Sequence, residues 1–244
     1  MAKFTFYGGM CMLLERHDGY KIIVDPYITG NPSCSKDVSE FYDVDLVVIT
    51  HAAFDHFGDA VKILQNSKAQ VMCGSECRVL IERGGVELEE GRHFGTIYGD
   101  CRKFGETTIR TVQAWHGSGI EYDGVRHSYY PFGYMIQLEP GVTYYHTGDT
   151  YISNEMKLLH DLFHPQVMVV GISKISEPFP CEMTAREAAI ATSFIAPDVV
   201  VPCHYAPGDP ALEEFLTQVK VLSPDTIVKE EPGKTFTYIP FRVE

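Results

Sequence analysis

Residues 50–59 read THAAFDHFGD and follow the apolar residues 46–49, LVVI. The unbroken run of aliphatic and β-branched side chains predicts a strand buried on both faces. His51, Asp55 and His56 then lie in the loop that leaves this strand. Imidazoles and carboxylates grouped in this way are typical ligands of a divalent metal ion. The stretch therefore predicts a metal site at the edge of a sheet.

Short strand patterns alternate with helical patterns along the rest of the chain. Strands are predicted at residues 3–7, 10–15, 20–24, 70–73, 107–114, 133–139, 142–146, 167–171, 199–201 and 236–239. Helices are predicted at residues 59–64, 76–83, 154–163, 185–195 and 211–221. The rhythm favours two sheets with helices outside, although periodicity alone also allows one mixed sheet. Because no linker-like composition interrupts it, we expect residues 1–244 to form a single domain.

Composition excludes several classes of function. The 244 residues carry 20 Lys and Arg against 33 Asp and Glu, a net charge of −13, and no basic cluster is visible. A negative charge of this size repels the phosphate backbone of nucleic acids, so a nucleic-acid partner is not expected. The amino terminus has no signal-peptide pattern, no apolar run could span a membrane, and seven scattered cysteines suit reduced thiols. We expect a cytoplasmic protein without a membrane partner.

Three further candidate ligands also follow predicted strands. His116 follows residues 107–114, Asp149 follows residues 142–146, and His204 follows residues 199–201. Loops at strand ends commonly gather to form sites. A histidine considered alone is more often structural, but the recurrence at strand ends favours a shared metal site. Nitrogen and carboxylate ligands without thiolates suit zinc or manganese, and iron is possible.

The chain resembles the metallo-β-lactamase superfamily from Phe4 to Tyr238. The matching motifs are Asp25-Pro26, Gly30-Asn31-Pro32, residues 50–58, Ala114-Trp115-His116-Gly117, residues 146–150 and Pro202-Cys203-His204-Tyr205. They are most similar to the branch of L-ascorbate-6-phosphate lactonase and uncharacterised metal-dependent hydrolases. The resemblance implies a four-layer α/β/β/α sandwich, in which two mixed sheets are flanked by helices.

The resemblance also implies two metal sites, with one departure. The first site would hold its metal with His51, His116 and Asp149, but the second histidine of the family signature is Ala53 here. The second site would be complete, with Asp55, His56 and His204 as ligands and Asp149 shared between the two. A methyl group cannot bind metal. We therefore expect one tightly bound ion and a weaker second site, which could recruit His127 or a substrate oxygen.

A divalent cation would lower the pKa of a bound water toward about 7. Asp149 would hold this water, Asp55 would orient it or accept its proton, and His51 or His116 could protonate the leaving group. Asp25 is expected to hydrogen-bond a ligand imidazole. Substrate contacts are predicted from a loop at residues 126–130 and from two other positions; the candidates are Arg126, His127, Tyr129, Tyr130, Lys174 and Tyr205.

Together these features predict a metal-dependent hydrolase of a small polar ester, lactone or phosphoester. The substrate could be anionic, because a bound cation reverses the potential inside an acidic pocket. The alternative is a degenerate scaffold that binds a metal or metabolite without turnover, since Ala53 removes a ligand. A nuclease is disfavoured by the acidic charge, and a homo-oligomer is compatible with the sequence.

Overall fold

The fold consists of two packed β-sheets with helices on their outer faces. The computed structural model describes residues 1–172 and 182–240. Within these residues the first sheet has seven strands in the order β16-β1-β2-β3-β4-β5-β6. Its strands are β1 (Ala2–Gly8), β2 (Cys11–Glu15), β3 (Lys21–Val24), β4 (Leu46–Val48), β5 (Gln70–Cys73), β6 (His93–Gly95) and β16 (Thr235–Tyr238). Neighbours from β3 to β6 are parallel, and the others are antiparallel.

The second sheet also has seven strands among the described residues, in the order β15-β14-β13-β12-β11-β8-β7. Its strands are β7 (Cys101–Phe104), β8 (Thr107–Gln113), β11 (Phe132–Glu139), β12 (Val142–His146), β13 (Val167–Gly171), β14 (Val199–Cys203) and β15 (Ile227–Val228). Neighbours from β12 to β15 are parallel. A separate hairpin pairs β9 (Ser118–Tyr122) with β10 (Val125–Tyr129).

The helices divide between the two outer faces. On the side of the first sheet lie a 3₁₀ helix (Val38–Phe41), α1 (Phe54–Phe57), α2 (Ala60–Gln65) and α3 (Ser75–Arg83). On the side of the second sheet lie α4 (Glu155–Phe163), α5 (Ala185–Ile195) and α6 (Pro210–Leu222). Thr184 and Glu187 form the capping box that the sequence predicts at the start of α5.

Alternation along the buried strands creates three apolar layers. In β13, Val167 and Val169 join the core between the sheets, whereas Met168 and Val170 pack with α5 and α6. The strand β4 divides its residues in the same way between the central core and the helices of the first sheet. Strands buried on both faces carry unbroken apolar sequences for this reason. The predicted α/β/β/α sandwich is confirmed.

Some strands of the structure have no counterpart in the sequence prediction, because they are exposed. The sequence predicts a loop at residues 126–130, but most of this segment is β10, whose side chains are largely exposed and show no buried alternation. Asp123 and Gly124 turn the hairpin with φ values of 50° and 73°, and an Asp-Gly pair is a known signal for such a turn. Likewise β7 exposes three of its four residues, so its sequence has no apolar period.

Gly58 ends α1 and lets the candidate metal-binding loop pack closely on the chain after β3. Its φ is 43°, and a Cβ there would lie 2.3 Å from the Pro26 carbonyl oxygen. The next residue, Asp59, donates its backbone N–H to the same oxygen at 2.9 Å. Any side chain at position 58 would separate these two segments.

We predict that Gly58→Ala lowers the free energy of unfolding by about 2–4 kcal/mol, because it combines a backbone collision with positive-φ strain. Gly19→Ala is the matched control: Gly19 has φ 90°, but a methyl group at this position would meet no heavy atom within 4 Å. It should cost only about 1 kcal/mol. Urea unfolding measures both, and equal losses would contradict the close approach at Gly58.

Candidate metal centre

The candidate ligands lie where strands of both sheets end at the same side of the molecule. His51, Asp55 and His56 follow β4, and His116 follows β8. Asp149 and His204 follow β12 and β14. Because β4, β12 and β14 all end here, loops that are distant in sequence meet at one point. The structure therefore brings together all six residues that the sequence predicts as ligands.

A buried hydrogen-bond network fixes the orientation of His56. Asp25 Oδ2 lies 2.7 Å from His56 Nδ1, and Asp25 also accepts from the backbone N–H and the hydroxyl of Thr50, at 2.8 and 2.7 Å. A hydrogen bond from Nδ1–H leaves the Nε2 lone pair available to a ligand. Thus Asp25 makes the imidazole contact expected from the sequence, and it presents Nε2 of His56 to the centre of the site.

Two of the residues at the site have strained backbones. Asp25 has φ 48° and His204 has φ 64°, although neither is glycine. The left-handed backbone region, with positive φ, destabilises a residue other than glycine by about 1 kcal/mol or more. Residues in this conformation are common at functional sites. Backbone hydrogen bonds hold both conformations: the Asp25 N–H donates to Val48, and the His204 N–H donates to Gly9, each at 2.9 Å.

The Asp149 carboxylate is the centre of the cluster. Its Oδ2 lies 3.1 Å from Nε2 of His56 and 3.5 Å from Nε2 of His204. It lies 3.9 Å from Nε2 of both His51 and His116. Four imidazole nitrogens thus converge on a single carboxylate oxygen.

The spacing agrees with a metal-binding arrangement. Ligand atoms bound about 2.0–2.2 Å from one ion stand roughly 3.3–3.6 Å apart at the corners of a tetrahedron. His204 Nε2 lies 3.2 Å from Asp55 Oδ2 and 3.5 Å from Asp149 Oδ2, close to this range. The contacts of His51 and His116 with Asp149 are wider, at 3.9 Å.

Buried atoms without hydrogen-bond partners give a direct test of whether a cation fits. Among the described residues, Nε2 of His51 and Oδ1 of Asp149 are buried without a hydrogen-bond partner. Buried Nε2 of His56 faces Asp149 Oδ2 at 3.1 Å without the geometry of a hydrogen bond. An unpaired polar atom in a protein interior costs about 1–3 kcal/mol, and more when it is charged. Lone pairs of nitrogen and carboxylate oxygen are the ligands that zinc and manganese use. The residues therefore fit a divalent cation.

The pKa values of His51 and His204 show how charge is distributed at this cluster. Burial and the neighbouring His56 lower the pKa of His51 to about 3, so His51 is a neutral base. Burial also opposes the charged form of His204, but Asp149 together with Asp55 and Glu182 outweighs it and raises its pKa to about 10. The carboxylates of this site are thus stabilised by nearby positive charge, which either protonated imidazoles or a metal cation can supply.

The structure adds Glu182, a residue that the sequence did not single out. Oε2 of Glu182 lies 3.1 Å from Nδ1 of His204, and one of its oxygens lies within 4.8 Å of ligand atoms of His116 and Asp149. Glu182 precedes the capping box of α5, in the connection that follows β13. In this connection the sequence points instead to Lys174, which lies outside the described residues.

The residues predicted to contact substrate have different surroundings. Arg126 is exposed on the hairpin, and His127 is half-buried, with its ring 6.2 Å from that of Tyr122 and 6.5 Å from that of Tyr129. Within the described residues, the groups of possible metal ligands do not include His127. It is therefore not supported as a replacement for the missing ligand at Ala53.

Tyr205 is occupied by other contacts. Its hydroxyl donates to the backbone oxygen of Glu230 at 2.7 Å, and its ring packs 6.4 Å from that of Phe6. These contacts account for the side chain by packing. The prediction of a substrate contact at Tyr205 is therefore not supported by its position.

A cleft beside the metal centre has aromatic walls. It has a volume of about 480 Å³ and is lined by Gly74, Ser75, Glu76, Thr96, Ile97, Tyr98, Tyr129, Tyr130 and Phe132. Ser118 links it to the candidate metal loop, because its hydroxyl donates to Glu76 at 2.8 Å and accepts from the Ala52 N–H at 3.4 Å. Burial raises the pKa of the Glu76 carboxyl. Two predicted substrate residues, Tyr129 and Tyr130, thus border this cleft.

None of the helices in the described part of the chain has both the length and the apolar character that crossing a bilayer requires.

Comparisons with known proteins identify the family. The family model of the beta-lactamase superfamily domain matches residues 20–205. A UPF0173 metal-dependent hydrolase of Methanopyrus kandleri is 36% identical over 225 residues, which are 90% of this chain and 93% of that protein. A UPF0173 metal-dependent hydrolase of Thermococcus kodakarensis is 34% identical over 214 residues, 88% of this chain and 89% of that protein.

The solved structures agree with this assignment. The metallo hydrolase Igni18 of Ignicoccus hospitalis superposes with a TM-score of 0.79 at 31% identity, over 98% of this chain and 99% of that one. The metallo-beta-lactamase fold protein YhfI of Bacillus subtilis has a TM-score of 0.73 at 13% identity, over 97% of this chain and 100% of that one, and shows the fold alone. The chain belongs to the UPF0173 metal-dependent hydrolases of the beta-lactamase superfamily.

Proposed function

We propose that this chain hydrolyses a small polar ester, lactone or phosphoester with a water molecule activated at the cluster around Asp149. The proposal is supported chiefly by Nε2 of His56 and Nε2 of His204, which lie 3.1 and 3.5 Å from Asp149 Oδ2. The same His204 nitrogen lies 3.2 Å from Asp55 Oδ2. Buried imidazole and carboxylate atoms without hydrogen-bond partners would be costly in a scaffold without a bound cation. This argues against the alternative of a site that no longer binds metal.

Asp55, His56, Asp149 and His204 would hold a divalent cation, which would supply Lewis acidity toward a water molecule and the substrate. Zinc and manganese both suit these ligands, and iron is compatible with them. His51 and His116 lie on the other side of Asp149, each 3.9 Å from its Oδ2. They form the less compact part of the site.

The exposure of each side chain suggests its role in the reaction. Asp55 retains 23% of its side-chain exposure, so it can accept a proton from the attacking water. Asp149 is 5% exposed and would orient that water. His116 is 16% exposed and can protonate a leaving group, whereas His51 is 1% exposed and cannot reach substrate. Of the two histidines considered as proton donors, the proposal retains only His116.

The aromatic cleft is suited to the organic part of the substrate. Tyr98, Tyr130 and Phe132 form adjacent ring contacts along it, with centroids 5.3–5.5 Å apart. Glu76 lies in the wall of this cleft, where its buried carboxyl accepts a hydrogen bond from the Ser118 hydroxyl and so supports the wall without contacting substrate. A substrate with both a polar reacting group and an apolar portion would use both parts of this site. A screen of lactones and phosphodiesters with the metal-loaded protein tests this class.

We predict that Asp149→Ala lowers hydrolytic activity at least about 100-fold and reduces the metal content, because the variant removes the carboxylate shared by four imidazoles. Asp161→Ala on the exposed face of α4 is the control and should keep both properties. Elemental analysis of purified protein and turnover of the best substrate measure the effect. Equal activity in the two variants would refute the proposed function.

We predict that Tyr130→Ala raises the KM for such a substrate about fivefold and leaves kcat nearly unchanged, because it removes an aromatic contact worth about 1 kcal/mol. The control is Tyr122→Ala, since Tyr122 lies on the same hairpin but stacks with Arg83 outside the cleft. Steady-state kinetics of both variants give the answer. An unchanged KM in Tyr130→Ala would remove the cleft from the substrate site.

A further inference from the structure

The loop after β4 offers fewer ligands on one side of Asp149 than on the other. Ala53 precedes α1 in an extended conformation and presents only a methyl group. On that side, His51 and His116 are the imidazoles that face Asp149, each at 3.9 Å. A cation on this side would therefore have two imidazoles and the shared carboxylate as ligands. On the other side, Asp55, His56 and His204 can all bind a cation in addition to that carboxylate.

Glu182, in the connection before α5, comes near His116 and Asp149. One of its carboxylate oxygens lies within 4.8 Å of a ligand atom of His116 and one of Asp149. The side chains of Glu182 and His116 are 17% and 16% exposed, so both can be reached from solvent. An open position is what a hydrolytic metal site requires.

The backbone near Glu182 is firmly anchored. The next residue, Met183, is fully buried in the layer between the second sheet and its helices. Thr184 then exchanges hydrogen bonds with Glu187, which fixes the start of α5. The position of Glu182 over the site therefore follows from elements that pack independently of any ligand.

An unsatisfied atom of Asp149 points to a ligand independently of Glu182. Oδ2 of Asp149 faces the imidazoles, whereas Oδ1 is buried without a hydrogen-bond partner. The Asp149 side chain is only 5% exposed, so water does not readily compensate this oxygen. A carboxylate with one satisfied and one unsatisfied oxygen is well suited to bridge two cations.

The charge balance also favours two cations. Four carboxylates, those of Asp25, Asp55, Asp149 and Glu182, surround the site. Among the described ion pairs they contact only imidazoles. One divalent cation would leave two negative charges in a largely buried place, whereas two would balance the four carboxylates. Uncompensated buried charge is strongly unfavourable.

We propose that Glu182 is a ligand of a second divalent cation, together with His116 and Asp149, and so makes up for the number of ligands that Ala53 reduces. This inference rests on the proposed function, because it assumes that the neighbouring site binds a first cation. It replaces the expectation of a weak second site completed by His127 or by substrate. The chain thus keeps two metal positions with a carboxylate in place of an imidazole.

A competing role for Glu182 is to orient His204 through Nδ1, at 3.1 Å. The substitution Glu182→Gln separates the two roles. A glutamine carbonyl can still accept the hydrogen bond from Nδ1–H, so an orienting function would be largely retained. The amide lacks the negative charge and is a poor ligand for a transition-metal cation, so a ligand function would be lost.

The experiment titrates metal-free protein with Co²⁺, followed by its visible absorption, and with Zn²⁺ by calorimetry. Four proteins are compared: wild type, Glu182→Gln, Ala53→His/Glu182→Gln, and the control Glu213→Gln on the exposed surface of α6. We expect two cations for wild type and for the control. Glu182→Gln should keep the tighter cation and lose at least about tenfold in affinity for the second. Ala53→His should restore the second cation in the Glu182→Gln background.

Other outcomes overturn the inference. A single cation in wild type, or unchanged binding of both cations in Glu182→Gln, would show that Glu182 is not a ligand. Weakening of the tighter cation without rescue by Ala53→His would assign Glu182 to the orientation of His204 instead. If the wild-type protein binds no cation at all, the proposed function itself is wrong, and this result is distinct from a failure of the Glu182 inference alone. Circular dichroism of each variant confirms that the compared proteins are folded.

Discussion

Carboxylates and imidazoles are crowded around Asp149 in a largely buried site. Four imidazole nitrogens lie within 3.9 Å of one oxygen of this carboxylate. Such a cluster is expensive to bury, because each charged or polar atom loses its hydration. A divalent cation changes the balance, since it satisfies several lone pairs at once and neutralises the carboxylates. The polar atoms that are unfavourable to bury without a partner therefore bind a cation strongly.

The fold makes this concentration possible by ending strands of two packed sheets at one place. Apolar alternation in β4 and β13 holds the sheets together, and the polar loops begin only where the strands stop. Positive φ values at Asp25 and His204 show that the chain accepts local strain to present these groups. Gly58 allows the loop of His56 to approach the chain beside Asp25. Packing and strain therefore act together to position the ligands.

Much of this was predictable from sequence because buried elements carry regular patterns. The strands β5, β12 and β13 and the helix α5 have the predicted bounds, and the capping box at Thr184 is present. The six candidate ligands could be named because each follows an apolar strand. The strand β10 and the edge strand β7 were missed because exposed strands need no apolar alternation.

Glu182 could not be found from the sequence for a different reason. It stands before a helix cap, far along the chain from the other ligands, and a glutamate in such a place is usually a solvated surface group. Only the approach of α5 to the ends of β8 and β14 brings it beside His116 and His204. The aromatic cleft is similarly a product of the fold, since its wall joins residues that follow β5, β6 and β10.

Anomalous diffraction from crystals grown with Zn²⁺ or Mn²⁺ is the most direct test of the central claim. Data collected above and below the absorption edge locate the metal without assumptions about its ligands. The strongest peak is expected between Asp55, His56, Asp149 and His204. Peaks confined to the protein surface, or no peak within reach of Asp149 at saturating metal, would contradict it.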